Sequence, residues 1–91
     1  MRLVFSDHAK RRMNERKISK ILVKGVVEAF DYKFLDVLTK HIVFVKSMMF
    51  RREKRYIAVS VDEREEEYIV VSVHPIRDRD FSSRIESGRW I

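Results

Sequence analysis

Three histidines and no cysteine make imidazole the natural carrier of any proton transfer in this 91-residue sequence. His74 closes a valine-rich run and is followed by Arg77 and Arg79. His8 heads a second group, since Arg12 and Arg16 follow it at intervals of four and share its helix face. A histidine near a helix N-terminus is disfavoured as the imidazolium, so His8 would be neutral and able to accept a proton. Cutting an RNA strand without a metal takes a base for the 2′-hydroxyl, an acid for the leaving oxygen and cations for the phosphorane charge. His74 and His8 are therefore the candidate catalytic residues. Arg12, Arg16 and Arg77 stand beside them as phosphate ligands, and Arg51, Arg52, Lys54 and Arg55 form a cationic hairpin able to grip phosphate. Tyr56 and Tyr68 fall on one strand face by alternation, where they could stack bases.

Each of these residues has a plainer reading. His74 could be a satisfied strand-end histidine, His8 a capping or packing residue, and the hairpin a solvated turn. His41 follows Lys40 and reads as a surface or edge residue. The spacing of the three histidines fits no known metal-ligand pattern, and without cysteine no thiolate zinc site is possible, so neither metal nor cofactor is expected.

The elements that must hold these residues follow from hydrophobic period. Ser6 is a good N-cap for a helix from Asp7 to about Arg16, with Ala9 and Met13 as its buried stripe. Ser19 caps a second helix over residues 20–30, apolar around much of its circumference. Beyond Phe30 the period changes from about 3.6 to about 2. Strands are expected at Tyr32–Thr39, His41–Phe50, Arg55–Asp62 and Glu67–His74, the last stopped by Pro75. Ile57, Val59, Val61, Ile69, Val71 and Val73 alternate onto one aliphatic face, which should pack on the helices. The other face, with Tyr56, Tyr68, two serines and His74, should stay open. The expected fold is α+β, with two N-terminal helices packed on one face of a four-stranded antiparallel sheet and residues 1–91 forming one domain.

Net charge is +6, divided as +5 over residues 1–30, +3 over 31–62 and −2 over 63–91. Such a domain suits a polyanion or an acidic partner. With 37% charged residues, a single asparagine and no glutamine, the composition also matches that of thermophile proteins. The N-terminus turns polar too early for a signal peptide and no apolar run approaches a bilayer span, so a cytoplasmic location without membrane contact is expected.

The opening Ser6-Asp7-His8-Ala9-Lys10-Arg11-Arg12-Met13-Asn14-Glu15-Arg16-Lys17-Ile18-Ser19 carries the pattern S-x-H-A-x-x-R-M-x-E-R-x-I-S. It resembles a small prokaryotic family that begins with this helix and continues into a meander ending in a valine-rich strand, here Ile69–Pro75, with Arg84–Trp90 as a further echo. That family is similar to the RelE/ParE-like toxins. The resemblance implies the toxin component of a type II toxin–antitoxin-like system, an endoribonuclease acting on mRNA, with RNA or the ribosome as target and an acidic antitoxin as partner. The basic and tyrosine residues of the RelE catalytic set have no aligned counterparts here. Apolar residues on both faces of the strand at Met48, Met49 and Phe50 suggest a partner chain, either a second copy in a homodimer or an antitoxin segment. The alternative is a non-catalytic nucleic-acid-binding or protein-interaction module of a thermophile.

Overall fold

The computed structural model describes residues 2–91. Helix α1 (Asp7–Arg16) starts where the Ser6 hydroxyl accepts the Ala9 amide at 3.0 Å, and Asp7 in the first turn suits the helix dipole. It ends because Lys17 turns left-handed (φ 55°), which sends the Ile18 amide back to the Met13 carbonyl and buries Ile18. Helix α2 (Lys20–Glu28) repeats the device, with Ser19 accepting the Leu22 amide at 3.1 Å. Its β-branched residues and Gly25 are poor helix formers, so burial of Val23 and Val26 holds it.

The sheet contains β1 (Arg2–Phe5), β2 (Tyr32–Leu35), β3 (Ile42–Phe50), β4 (Glu53–Arg64) and β5 (Glu67–Ile76), in the spatial order β1-β5-β4-β3-β2. Strands β2 to β5 form an antiparallel meander, and β1 lies parallel to β5. Helix α3 (Asp78–Glu86) follows. The expected four-stranded antiparallel sheet with both helices on one face is thus corrected. Among the described residues the sheet has five strands and is mixed, there are three helices, and α3 packs on the face expected to be open. The opening Leu3-Val4-Phe5 is a strand because the β5 edge at Glu67–Val70 is otherwise unpaired. Pro75 does not stop β5. It pairs with Ile57 where β5 has no outer neighbour, so its missing N–H breaks no ladder.

The β3–β4 hairpin is tighter than expected. Arg51 and Arg52 alone form its turn, both left-handed (φ 52° and 68°), and Glu53 and Lys54 belong to β4. Two positive φ angles are what a two-residue turn needs to match strand twist, although asparagine and glycine usually supply them.

Register decides which face each side chain takes. The β4–β5 pairing passes from Ser60↔Ser72 to Val61↔Val70, so Val71 is an extra residue and β5 changes phase there. Val70 and Val73 consequently both join the core under α1 and α2, with Ile57, Val59, Val61 and Phe44. The expected inward set on β5 is corrected at Ile69 and Val71, which turn to the opposite face, where Val71 lines a depression. Tyr68 is corrected in the opposite sense, since it packs against Phe44 on the helix side. The second core, on the α3 side, gathers Val43, Val45, Ala58, Ile76, Phe81 and Trp90.

Candidate functional site

The α3 side of the sheet presents the rows Val43–Ser60–Ser72 and Val45–Ala58–His74 by its pairing. Over one end of these rows lies α3, where Phe81 stacks on Tyr56 with ring centroids 4.0 Å apart. Over the other end the sheet is bare, leaving a depression of about 270 Å³. Its walls include His41, His74, Ser60, Ser72, Arg84 and Arg89. The bulge at Val71 sets the phase that turns Ser72 and His74 into it, a use of bulges common beside functional sites.

Asp36 builds the wall that carries His41. It is 3% exposed, and its Oδ1 accepts the amides of Leu38 and Thr39 at 3.0 and 3.2 Å. Its backbone accepts the Lys40 amide and donates to the His41 carbonyl, closing the turn that ends at His41. Arg89 donates Nε–H to both carboxylate oxygens, at 3.2 and 3.1 Å, and the Trp90 indole N–H donates to Oδ2 at 3.3 Å. Burial pushes the Asp36 carboxyl up, but the Arg89 hydrogen bond and the Thr39 and Leu38 amides outweigh it and leave the pKa below the usual value. Trp90 packs between Phe34 and Phe81 and lies under the Arg84 guanidinium, 5.3 Å from its ring centre. Sequence periodicity reveals neither Asp36 nor His41 as part of a site. Their signal was present only as a lone carboxylate amid apolar residues and a histidine at a strand end.

His74 is where the two sequence-predicted groups converge. Beyond Phe5 the β5 edge has no strand neighbour, and α1 runs beside it. Arg16 reaches across to donate Nη1–H to the Val73 carbonyl at 2.6 Å, and the same nitrogen lies 3.2 Å from His74 Nδ1. An arginine only donates, so Nδ1 is the acceptor and the neutral ring carries its proton on Nε2. His74 remains partly exposed, yet its ring loses enough water to lower its pKa, and Arg16, Arg84, Arg12 and His8 lower it further. The row His8–Arg12–Arg16 therefore borders His74, while Arg12 also pairs with Glu15 at 3.5 Å.

The remaining predicted ligands stand apart from the depression. Arg51 donates to the Arg16 carbonyl and stacks on Phe50, so it ties the hairpin to the end of α1. Arg52 is exposed at the turn. Arg55 pairs with Glu53 and is 17% exposed, and Arg77 lies 3.8 Å from the same carboxylate. Lys54 lies over the Tyr56 ring. Tyr56 and Tyr68 do not share a surface, and α3 covers one ring face of Tyr56, so an RNA strand cannot stack across the pair. Its phenol pKa is raised, chiefly by desolvation and with Asp78 adding to it.

Among the described residues no three His, Asp or Glu side chains gather as a metal site would require, and no helix is long and apolar enough to cross a membrane. The chain matches no protein-family model, no curated protein and no solved structure, so the depression and its two histidines stand on their own geometry.

Proposed function

We propose that this protein is a metal-independent endoribonuclease, the toxin component of a toxin–antitoxin-like pair, whose reaction takes place in the depression between His41 and His74. The observation that carries the reading is that two histidines, one from the turn before β3 and one from β5, line one small depression together with Arg84 and Arg89. His41 has no hydrogen bond to its ring among the described residues, so it is the group free to take the 2′-hydroxyl proton. His74, held by Arg16 as the Nε2–H tautomer, donates to the phosphoryl oxygens as their charge develops. Arg84 and the Arg12–Arg16 row supply the surrounding positive charge. The 2′-oxygen bonds to phosphorus as the bond to the 5′-oxygen breaks, and that oxygen takes a proton from water, leaving a 2′,3′-cyclic phosphate on one product, a 5′-hydroxyl on the other, and the 2′ proton on His41 for return to the hydroxide so formed.

This assignment replaces His8 with His41 as the second histidine and leaves His8 in the electrostatic surround. The test is cleavage of single-stranded RNA by purified protein in the presence of a chelator, with and without ribosomes. Cyclic-phosphate ends are expected, with losses of about 10²–10⁴-fold in His41→Ala and in His74→Ala. RNA intact under every condition, or cleavage that survives both substitutions, overturns the reading. Salt-dependent RNA binding without cleavage would identify a non-catalytic module instead.

A further inference from the structure

The depression at His41 and His74 carries a repeated pattern that the ribonuclease reading leaves unused. Thr39-Lys40-His41 and Ser72-Val73-His74 each place a hydroxyl two residues before a histidine, and all four side chains line the depression. On β5 this spacing puts Ser72 and His74 on one face, since strand residues two apart point the same way. In the turn before β3 the Thr39 hydroxyl accepts the His41 amide at 3.3 Å, which fixes it beside that histidine and leaves its O–H to donate. Ser60 lies directly across from Ser72 and adds a third hydroxyl.

These groups suit an anion. Asp36 is the one carboxylate among the lining residues, and its oxygens are already taken by Arg89, the Trp90 indole and the Leu38 and Thr39 amides. Arg84 lies over Trp90 with no carboxylate partner among the described residues. Three hydroxyl donors, the His74 Nε2–H and one guanidinium thus line a space that holds no free negative charge. The space is also small. Its volume of about 270 Å³ lies near the lower end of small-molecule sites, about 300 Å³. Arg52, Arg55 and Arg77 do not line it, so it offers donors for one phosphate and no track for the next ones along a strand.

From the two hydroxyl–histidine pairs we infer a further activity: the depression takes a free nucleoside 2′,3′-cyclic phosphate and opens it to the 3′-monophosphate. The inference rests on the proton-transfer role given to His41 in the ribonuclease reading, but it needs neither a polymer nor a ribosome. Ring opening is ring closure run backward, with water in place of the 5′-hydroxyl. The water oxygen bonds to phosphorus and its proton passes to solvent. The bond from phosphorus to the 2′-oxygen breaks, and that oxygen takes a proton from protonated His41. His41 then regains a proton from solvent, so one water is consumed and no oxidant or reductant is needed. The hydroxyls, the His74 N–H and Arg84 hold the other phosphoryl oxygens as charge builds on them. On cleaved RNA the same step would turn cyclic ends into 3′-phosphates with time.

The test is the purified full chain incubated, in the presence of a chelator, with the 2′,3′-cyclic monophosphates of adenosine, guanosine, cytidine and uridine, followed by phosphorus NMR. Conversion of at least one to its 3′-monophosphate is expected, with a loss of about 10²–10⁴-fold in His41→Ala and about tenfold in Ser72→Ala. Lys24→Gln, outside the depression, should match the parent. Circular dichroism confirms that each variant is folded. Conversion with RNA left intact would uphold this inference and remove the ribonuclease reading. RNA cut to cyclic ends that persist, with the free cyclic nucleotides untouched, would do the reverse. All four cyclic nucleotides unchanged, a 2′-monophosphate product, or conversion that survives His41→Ala or Ser72→Ala in a folded protein would each overturn the proposal.

Discussion

Replacing Asp36 by alanine should cost this fold about 3–4 kcal/mol. The Trp90 indole N–H, in a residue 5% exposed, loses its carboxylate acceptor, and a buried donor left unpaired costs about 1–3 kcal/mol. The Arg89 pair is discounted to about 1 kcal/mol or less, because the Arg89 side chain is 37% exposed and solvent screens it. The Leu38 and Thr39 amides, near solvent, add about 0.5 kcal/mol each. A 91-residue domain has about 5–14 kcal/mol in all, so the variant loses about a fifth or more of its stability. Thermal unfolding followed by circular dichroism should show a fall in Tm of about 12–30 °C. Because the Asp36 carboxyl is held below its usual pKa, its contribution is present above the unfolded value of 3.8 and lost as pH falls through the folded value. Asp36→Asn should therefore show a flatter loss of stability in acid than the parent. A loss below about 1 kcal/mol in Asp36→Ala would refute the account of this residue as the tie between the His41 turn and the C-terminal segment.

The lowered pKa of His74 acts in the same direction, because the folded protein takes up this proton less readily than the unfolded chain, so stability is full above the unfolded value of 6.5 and falls as pH drops through the folded value. Denaturant unfolding between pH 7.5 and pH 5 should show this loss in the parent and less of it in His74→Gln, the charges of Arg16, Arg84, Arg12 and His8 being its cause. Arg52→Gly should stabilise the protein by about 0.5–1 kcal/mol, since glycine takes the left-handed turn position without a Cβ clash. Arg51→Gly should gain less, measured by the same denaturant titration, because it also removes the bond to the Arg16 carbonyl.

The local signals in this sequence are faithful where they depend on neighbours. Ser6 and Ser19 cap the helices that their positions suggest, and the alternation in β4 assigns Ile57, Val59 and Val61 to the helix-side core. What escapes the sequence is non-local. Strand β1 exists only through pairing with residues more than sixty positions away, such as Leu3 with Tyr68. Helix α3 shows only Phe81 and Ile85 as apolar in Asp78–Glu86, too few for a stripe, and it forms because Phe81 finds Tyr56 and Trp90. The β5 bulge reverses the expected faces of Tyr68, Ile69 and Val71 without any glycine to announce it. Of the candidate site, His74 was legible as a residue type at the end of a strand, but its arginines were not, since spacing puts Arg77 beside it and the fold brings Arg16 and Arg84 instead. The partnership with His41 was not, because it arises from the turn that Asp36 closes and from the face on which β3 lies.

The sheet order has a mechanical consequence. Arg2 begins the strand at one edge, while Ile91 pairs through its backbone with Leu35 at the other, beyond β2. Five inter-strand spacings separate these edges, about 24 Å, and both points lie toward the same end of the strands. Tension between residues 2 and 91 therefore runs across the strands and loads the hydrogen bonds a few at a time. The domain should peel from its edges at low force, as a zipper opens, and an unfolding motor gripping either edge meets little resistance.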